Sequence, residues 1–367
     1  MKFTVSQSAL ARALSIVGKG ISSGSTIPML SGVYIKAEGG TVELRTTDLT
    51  ISVKSAIAAN VEEDGATVVS GKLLANIVKN LPDAAIAISS EQGVVKLTCQ
   101  SSSYRLNSLE ARDFPEFPVF EFDQTVVLPV QLLSTMVSKV YKATSKEVTR
   151  PILAGILLTV EDNTVRLVAT DFYRLVVCDT NRETSSLARP FEAVIPGTVF
   201  YNVLNLPVEA DEVVIGLTDN QVVFSLGETT YVSRRLGGSY PNYKQLLPSS
   251  YNTAARVQVA DIAAALRRVS AIAATSTSLR FEIDGDSSAI GLYSTAADAG
   301  EANEAVPCEV EGNSLSVGLN YHYLLDCVSA VSEYDELSIE LQDRAKPGIF
   351  KAYGDINYLC LIMPTDI

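Results

Sequence analysis

The stretch Arg150-Pro-Ile-Leu-Ala-Gly-Ile-Leu-Leu-Thr-Val-Glu-Asp-Asn-Thr-Val-Arg-Leu-Val-Ala-Thr-Asp-Phe-Tyr-Arg-Leu175 holds two apolar, β-branched runs on either side of the turn-prone Glu161-Asp162-Asn163. That pattern predicts a β-hairpin. The same landmarks recur upstream in Ile27-Pro-Met-Leu-Ser-Gly-Val-Tyr-Ile-Lys-Ala-Glu-Gly-Gly-Thr-Val-Glu-Leu-Arg-Thr-Thr-Asp48. Pro28 and Pro151, Gly32 and Gly155, and Asp48 and Asp171 each stand 123 positions apart, with no gap between them. A fainter third copy is Leu279-Arg-Phe-Glu-Ile-Asp-Gly-Asp-Ser-Ser-Ala-Ile-Gly-Leu-Tyr-Ser-Thr295. Leu279 follows Ile156 by 123, whereas Thr295 follows Thr170 by 125, so this turn is two residues longer. The chain is a tandem triplication.

Its 367 residues exceed one ordinary core. The repeat divides them into expected domains 1–122, 123–250 and 251–367, each near the commonest domain size. No run approaches the ~18 apolar residues of a membrane span. The opening Met-Lys-Phe-Thr-Val-Ser-Gln lacks a signal-peptide core and reads as a strand. Cys99, Cys178, Cys308, Cys327 and Cys360 are odd in number, spread among apolar runs and without a Cys-x-x-Cys pair. They read as buried, reduced thiols of a cytoplasmic protein.

Each repeat opens with a strand and an amphipathic helix. The apolar stripes are Leu10, Leu14 and Val17, then Leu133, Val137 and Val140, then Ile262, Leu266 and Val269. After the hairpin comes another strand, a second helix opening near Gly71, Gly197 and Gly318, and further strands. The fold class is α+β, with three repeats of two helices on antiparallel sheet. Asp113-Phe-Pro-Glu-Phe-Pro118 and Gly237-Gly-Ser-Tyr-Pro-Asn-Tyr-Lys-Gln-Leu-Leu-Pro248 join the units. Their aromatics around proline are expected to pin each linker to a domain face.

Repeated units with open strand edges are expected to pair into a curved array. With an apolar finish at Tyr358-Leu-Cys-Leu-Ile-Met-Pro364, head-to-tail closure between identical chains is expected. Net charge is −13 and the isoelectric point 4.7. Taken alone, that argues against nucleic acid, because phosphate affinity comes from Lys and Arg. The distribution reverses the argument. Arg12, Lys19, Lys72, Lys79, Lys139, Lys142, Lys146, Arg150, Arg267 and Arg268 fall on or beside helices, while Glu62-Glu-Asp64 and Glu209-Ala-Asp-Glu212 lie in loops and strand ends. Helices sharing one side would make a cationic face for DNA; ordinary solvated helix faces are the plain alternative.

No catalytic constellation emerges. The one histidine, His322, reads as a surface or interface residue, and neither a serine nucleophile elbow nor His-Glu-x-x-His occurs. Gly18-Lys-Gly-Ile-Ser-Ser-Gly24 follows a helix and lacks the Gly-Lys-Ser/Thr ending of a phosphate loop. Asp284-Gly-Asp-Ser-Ser288 resembles the opening of a calcium loop but is followed by Ala289 and Thr295 where glycine and glutamate are needed, and reads as a hairpin turn. Asp48 and Asp171, being repeat equivalents, read as turn caps. No cofactor and no metal are expected.

At Ala169-Thr-Asp-Phe-Tyr-Arg-Leu175, Tyr240-Pro-Asn-Tyr-Lys-Gln-Leu-Leu-Pro248, Val317-Gly-Leu-Asn-Tyr-His-Tyr-Leu-Leu-Asp326 and Met363-Pro364 the chain resembles the bacterial DNA polymerase III β subunits, the sliding clamps, over essentially its whole length. The resemblance implies a head-to-tail homodimer forming a six-domain ring, whose helices line a basic hole around duplex DNA without sequence specificity. It implies a non-enzymatic processivity factor that is nucleoid-associated and touches no membrane. It further implies an apolar cleft for short linear motifs of the polymerase III α subunit, the clamp loader, other polymerases and repair proteins. On the central repeat the matching positions are Leu153, Thr170, Phe172, Tyr173, Arg174 and Leu175; on the linker they are Pro241, Gln245 and Leu246. On the third repeat they are Asn320, Tyr323, Leu361, Met363 and Pro364.

Several residues depart from the family pattern. Phe172-Tyr173 stand where many relatives have Gly-His, Gln245 where many have Arg, and Ser276 where many have an aromatic residue. These bear on the shape and motif preference of the cleft. Gly24 and Gly197-Thr198 replace frequent basic residues, so weaker contact with the DNA backbone is expected there. At the ring joint the resemblance implies that Lys72, Leu73, Tyr104 and Leu106 meet Ile272 of the other chain. Two other readings stay open: an enzyme with its active site between repeats, which would hold a metal or a perturbed carboxylate pair, and a repeat scaffold binding proteins alone.

Overall fold

The structure, a computed structural model, describes residues 1–366 apart from 23, 25, 148, 182–189, 274–276 and 298–299, and for 181 and 273 it describes the backbone alone. Ser276 therefore lies outside the described residues.

Strands Gly155–Glu161 and Thr164–Thr170 pair antiparallel, from Leu157 opposite Val168 to Glu161 opposite Thr164. Asp162 and Asn163 between them have φ of 46° and 65°. Two consecutive left-handed residues match the right-handed twist of a hairpin, and Asp and Asn tolerate that conformation. The first copy, Gly32–Glu38 with Thr41–Thr47, turns through Gly39 and Gly40 at φ 58° and 87°. In the third, strands Ser278–Asp284 and Ala289–Ala296 are joined by four residues instead of two. There the Asp284 carboxylate accepts from the Asp286 amide at 3.0 Å and the Ser287 hydroxyl at 2.5 Å, closing the wider turn.

The helices are α1 (Gln7–Val17), α2 (Gly71–Lys79), α3 (Val130–Val140), α4 (Gly197–Leu204), α5 (Val259–Ala273) and α6 (Tyr321–Ala330). The stripes expected on α1, α3 and α5 are all buried. Each large apolar side chain so buried contributes roughly 1.5–3 kcal/mol. The helix expected to open near Gly318 starts three residues later. Gly318 belongs to the strand Leu315–Asn320, and Asn320 caps α6 by accepting from the His322 amide at 2.9 Å. Among the described residues no helix is long and apolar enough to cross a membrane.

The chain folds as two compact units, Met1–Leu133 with Asn202–Arg235, and Ser134–Tyr201 with Leu236–Ile367. In the first, a 13-stranded sheet runs through both repeats because strand Thr229–Arg234 pairs with Ile51–Ala58. α1 and α2 pack on one another there. In the second unit, a 9-stranded sheet is continuous because Arg174–Asn181 pairs with Asn357–Ile362, and a 4-stranded sheet accompanies it. α5 packs on α6. The central repeat thus gives strands to both units, each donated through a ladder of backbone hydrogen bonds.

The linkers are pinned as their aromatics predict. The Phe114 ring lies 5.3 Å from that of Tyr34, and the Lys54 ammonium sits 4.9 Å over Phe117. Tyr240 donates to the Val168 carbonyl at 3.2 Å. Tyr243 packs into a cluster with Leu157, Val168, Leu175 and Leu361. Cys99, Cys178, Cys327 and Cys360 are buried free thiols, whereas Cys308 is half-buried.

Candidate functional site

The turn after the central hairpin is built by Thr170 and Asp171. The Thr170 hydroxyl donates to the Arg174 carbonyl at 2.7 Å and accepts from the Phe172 amide at 3.3 Å. One Asp171 oxygen accepts from the amides of Tyr173 and Arg174 at 3.0 and 2.9 Å. Phe172 is held at φ 72° and left half-exposed. The first repeat reproduces every element of this turn. Thr47 bonds the Ile51 carbonyl and the Leu49 amide, both at 3.0 Å. Asp48 accepts from Thr50 and Ile51, and Leu49 stands at φ 75°. Both aspartates are caps, as repeat equivalence predicts.

Beyond the turn lies Arg174, which is buried. Its guanidinium donates to Asp171 at 3.1 Å, to Asp326 of α6 at 2.7 Å and to the Lys142 carbonyl, and it stacks 4.4 Å over the Tyr323 ring. Asp326 accepts a second charged hydrogen bond, from the Lys142 ammonium at 2.9 Å. Burial alone would raise the Asp326 carboxyl, but hydrogen bonds from Arg174 and Lys142 outweigh it and hold the group below its ordinary value. Burial raises Asp171 despite the adjoining guanidinium. For Arg174 burial opposes the charge, and the two aspartates more than restore it.

A cavity of 830 Å³ opens beside this network. Among its lining residues are Lys142, Asp171, Tyr173, Arg174, Tyr323 and Asp326. The candidate cleft residues differ in exposure. Leu153, Thr170, Leu175 and Leu361 are buried, and Leu175 and Leu361 belong to the apolar cluster under the linker. Phe172, Tyr173, Gln245, Leu246 and Met363 are exposed, while Pro241, Asn320, Tyr323 and Pro364 are half-buried. The Met363 amide donates to the Tyr173 carbonyl at 2.8 Å, so the C-terminal segment is tied to the turn. The Arg150 guanidinium lies 4.3 Å over the Phe172 ring. Asp326, Asp171 and Lys142 escaped the sequence reading of the cleft. Asp326 sits three positions after Tyr323, on the same helical face, and that spacing was the available signal.

Among the candidate DNA-lining cations, Lys139 requires correction. It is buried, its ammonium bonds the Glu333 carboxylate and the Ala330 carbonyl, and the Tyr334 ring lies 4.7 Å away. A charge so enclosed is structural. Arg12 pairs with Glu209 at 2.8 Å and Arg268 with Glu304 at 2.7 Å, both on the surface. Lys19, Lys72, Lys79, Lys146 and Arg267 are exposed. At the expected joint, Leu73 and Tyr104 are exposed, Leu106 is buried and Ile272 is half-buried.

Comparison with known proteins agrees over the whole chain. Sequence models of the DNA polymerase III beta subunit match its N-terminal domain at residues 1–118, its central domain at 127–242 and its C-terminal domain at 244–366. The beta sliding clamp of Synechococcus elongatus is 29% identical over 374 residues, covering 100% of both chains. That of Streptomyces coelicolor is 28% identical, covering 100% of this chain and 99% of the relative. The crystal structure of the DNA polymerase sliding clamp from Bacillus subtilis superposes with a TM-score of 0.93 at 26% identity, covering 100% of this chain and 99% of that one. Matched in three consecutive segments from end to end, the chain belongs to the DNA polymerase III beta subunit family.

Proposed function

We propose that this chain is the processivity subunit of its replicative DNA polymerase, acting as a ring-shaped homodimer that encircles duplex DNA. It is a non-catalytic subunit and works on DNA in the cell interior, at the nucleoid. The observation that carries the reading is the family match across all three repeats. Processivity then follows from topology: a closed ring cannot leave sideways, so each phosphate contact can stay weak enough for sliding. We assign three domains, 1–122, 123–250 and 251–367, and six of them per ring.

The ring joint has support in the strand edges. Strand Ser102–Leu109 meets Gly65–Ser70 only at Ser108 and Leu109, leaving the edge from Ser102 to Asn107 without a strand among the described residues. Strand Gly300–Pro307 ends the 4-stranded sheet. Antiparallel pairing of these two edges between chains would cover both. Arg105 on the first would face the Glu301 and Glu304 side of the second. In this arrangement Leu73 and Tyr104 meet the Ile272 region, and Leu106 supports the strand from its own core.

Partner motifs dock at the turn 170–174, the linker 241–246 and the tail 361–364. The exposed apolar residues there, Phe172, Tyr173, Leu246 and Met363, suit apolar peptide anchors, and Arg174 with Asn320 gives polar fixing points. DNA contact falls to Lys19, Lys72, Lys79, Lys146, Arg150 and Arg267, with Arg12, Lys142 and Arg268 shared with carboxylates.

The test is retention on DNA after loading by a clamp loader and ATP. Protein should stay on nicked circular DNA through gel filtration and be lost within minutes of linearisation. Equal loss from both forms would overturn the ring; a protein-only scaffold would be retained on neither.

A further inference from the structure

The Asp326 carboxylate is placed between two demands. One oxygen accepts from Arg174 of the peptide-cleft turn at 2.7 Å, and the other from the Lys142 ammonium at 2.9 Å. Arg174 is enclosed, its side chain 10% exposed, whereas Lys142 is 56% exposed and reaches solvent. The Arg174 guanidinium also bonds the Lys142 carbonyl and, through Asp171, holds the amides of the turn that presents Phe172 and Tyr173. All four groups border the same 830 Å³ cavity. Neither oxygen is spare: the first fixes the turn, and the second holds back a cation that duplex phosphates would otherwise attract.

We propose that Asp326 is a positioning residue serving both surfaces at once, anchoring Arg174 so that the motif-binding turn keeps its shape while withholding Lys142 from DNA. The proposal rests on the reading of this site as a clamp cleft beside a DNA-facing lysine. Its signature is a pair of effects with opposite sign. Asp326→Asn keeps the side-chain shape but loses the charge, so Arg174 loses one of its two carboxylate partners and Lys142 loses its counter-ion. Motif affinity should fall while affinity for DNA rises. A structural lesion would lower both.

The experiment compares full-length wild type, Asp326→Asn, Lys142→Met and the double variant. A fluorescent peptide carrying the short apolar motif of the polymerase III α subunit reports the cleft, and nicked circular DNA loaded by the clamp loader reports the hole. For Asp326→Asn the peptide dissociation constant should rise about 10- to 150-fold, the range of one lost charge-assisted hydrogen bond. The salt dependence of DNA retention should steepen by about one phosphate contact, near 0.9 in the log–log slope. In the Lys142→Met background Asp326→Asn should still weaken the peptide but leave the slope unchanged. Weakening of both ligands, or of neither, overturns the proposal, as does a steeper slope that persists without Lys142. A wild type that fails to bind the peptide, or that is not retained on circular DNA, overturns the underlying site reading and this proposal with it; a wild-type slope that falls by about 0.9 on Lys142→Met, or normal wild-type binding of both with no opposed effect, overturns the proposal alone.

Discussion

Leu49 and Phe172 occupy the same place in two repeats, at φ 75° and 72°, each with a large apolar side chain turned to solvent. A left-handed backbone costs an L-residue roughly 1–2 kcal/mol, and the surrounding threonine and aspartate bonds hold both residues there. Leu49→Gly should therefore leave the urea midpoint nearly unchanged, because relief of strain offsets the ~0.5–1 kcal/mol of added chain entropy. Leu49→Val, β-branched and intolerant of that backbone, should destabilise by about 1–2 kcal/mol. The usual ranking of these substitutions would be reversed. Thr170→Val keeps the shape but removes a hydroxyl that both donates and accepts inside the buried turn. Its cost should be about 1–3 kcal/mol, read from the same unfolding curves. Acid sensitivity follows from the Asp326 carboxyl, whose folded pKa lies below its ordinary value. Its stabilisation is complete above the unfolded pKa of about 3.9 and is lost as pH falls through the folded pKa. Asp171, raised by burial, acts with the opposite sign, so its ionised form detracts as pH rises through its folded pKa. Melting temperatures of Asp326→Asn should accordingly fall less steeply than wild type below about pH 4.

The helices and hairpins were the legible part of this chain. A constant offset between copies fixed the hairpins of the first two repeats, and the two-residue excess in the third became a four-residue turn closed by Asp284. Apolar spacing placed α1, α3 and α5, but charge counting misread one position on α3. Lys139 falls three residues after the buried Met136 and beside the buried Val140, on the flank of the apolar stripe. A helical wheel carries that warning; its partner Glu333, far along the chain, does not show in any local pattern. The same limit hid Asp326 from the cleft, since its bond to Arg174 spans 152 positions. Lys139→Met should keep stability within about 1 kcal/mol, because the buried stem is kept and the Glu333 carboxylate, its side chain 54% exposed, is left to water. Glu333→Ala, which strands the ammonium, should cost about 1–3 kcal/mol in chemical denaturation. On loaded circular DNA, Lys146→Met should lower the salt slope by about 0.9 while Lys139→Met leaves it alone.

At the scale of the molecule, repeat and compact unit do not coincide. Three repeats predict three domains, yet the central one lends strands to two sheets, because each repeat closes an edge of its neighbour. Sequence periodicity reports where copies begin and carries no record of which edges meet. A fragment beginning at residue 123 would strip Ile51–Ala58 from Thr229–Arg234 and leave that strand open. Such a fragment should self-associate, seen as a larger species in analytical ultracentrifugation, and adding back residues 1–122 should reduce it.

Those two shared ladders also decide how the protein answers a pull. Five residue pairs lie side by side between Thr229–Ser233 and Ile51–Ser55, and six between Arg174–Asp179 and Asn357–Ile362. Tugged along their length, the pairs in such a row bear the load together and must all give way at once, whereas a short contact peeled from one end yields a bond at a time. A pull along either row would thus find the seam inside that unit stiff. In a ring closed head to tail as proposed, the noncovalent meeting of two chains would be a joint that can part without tearing either ladder.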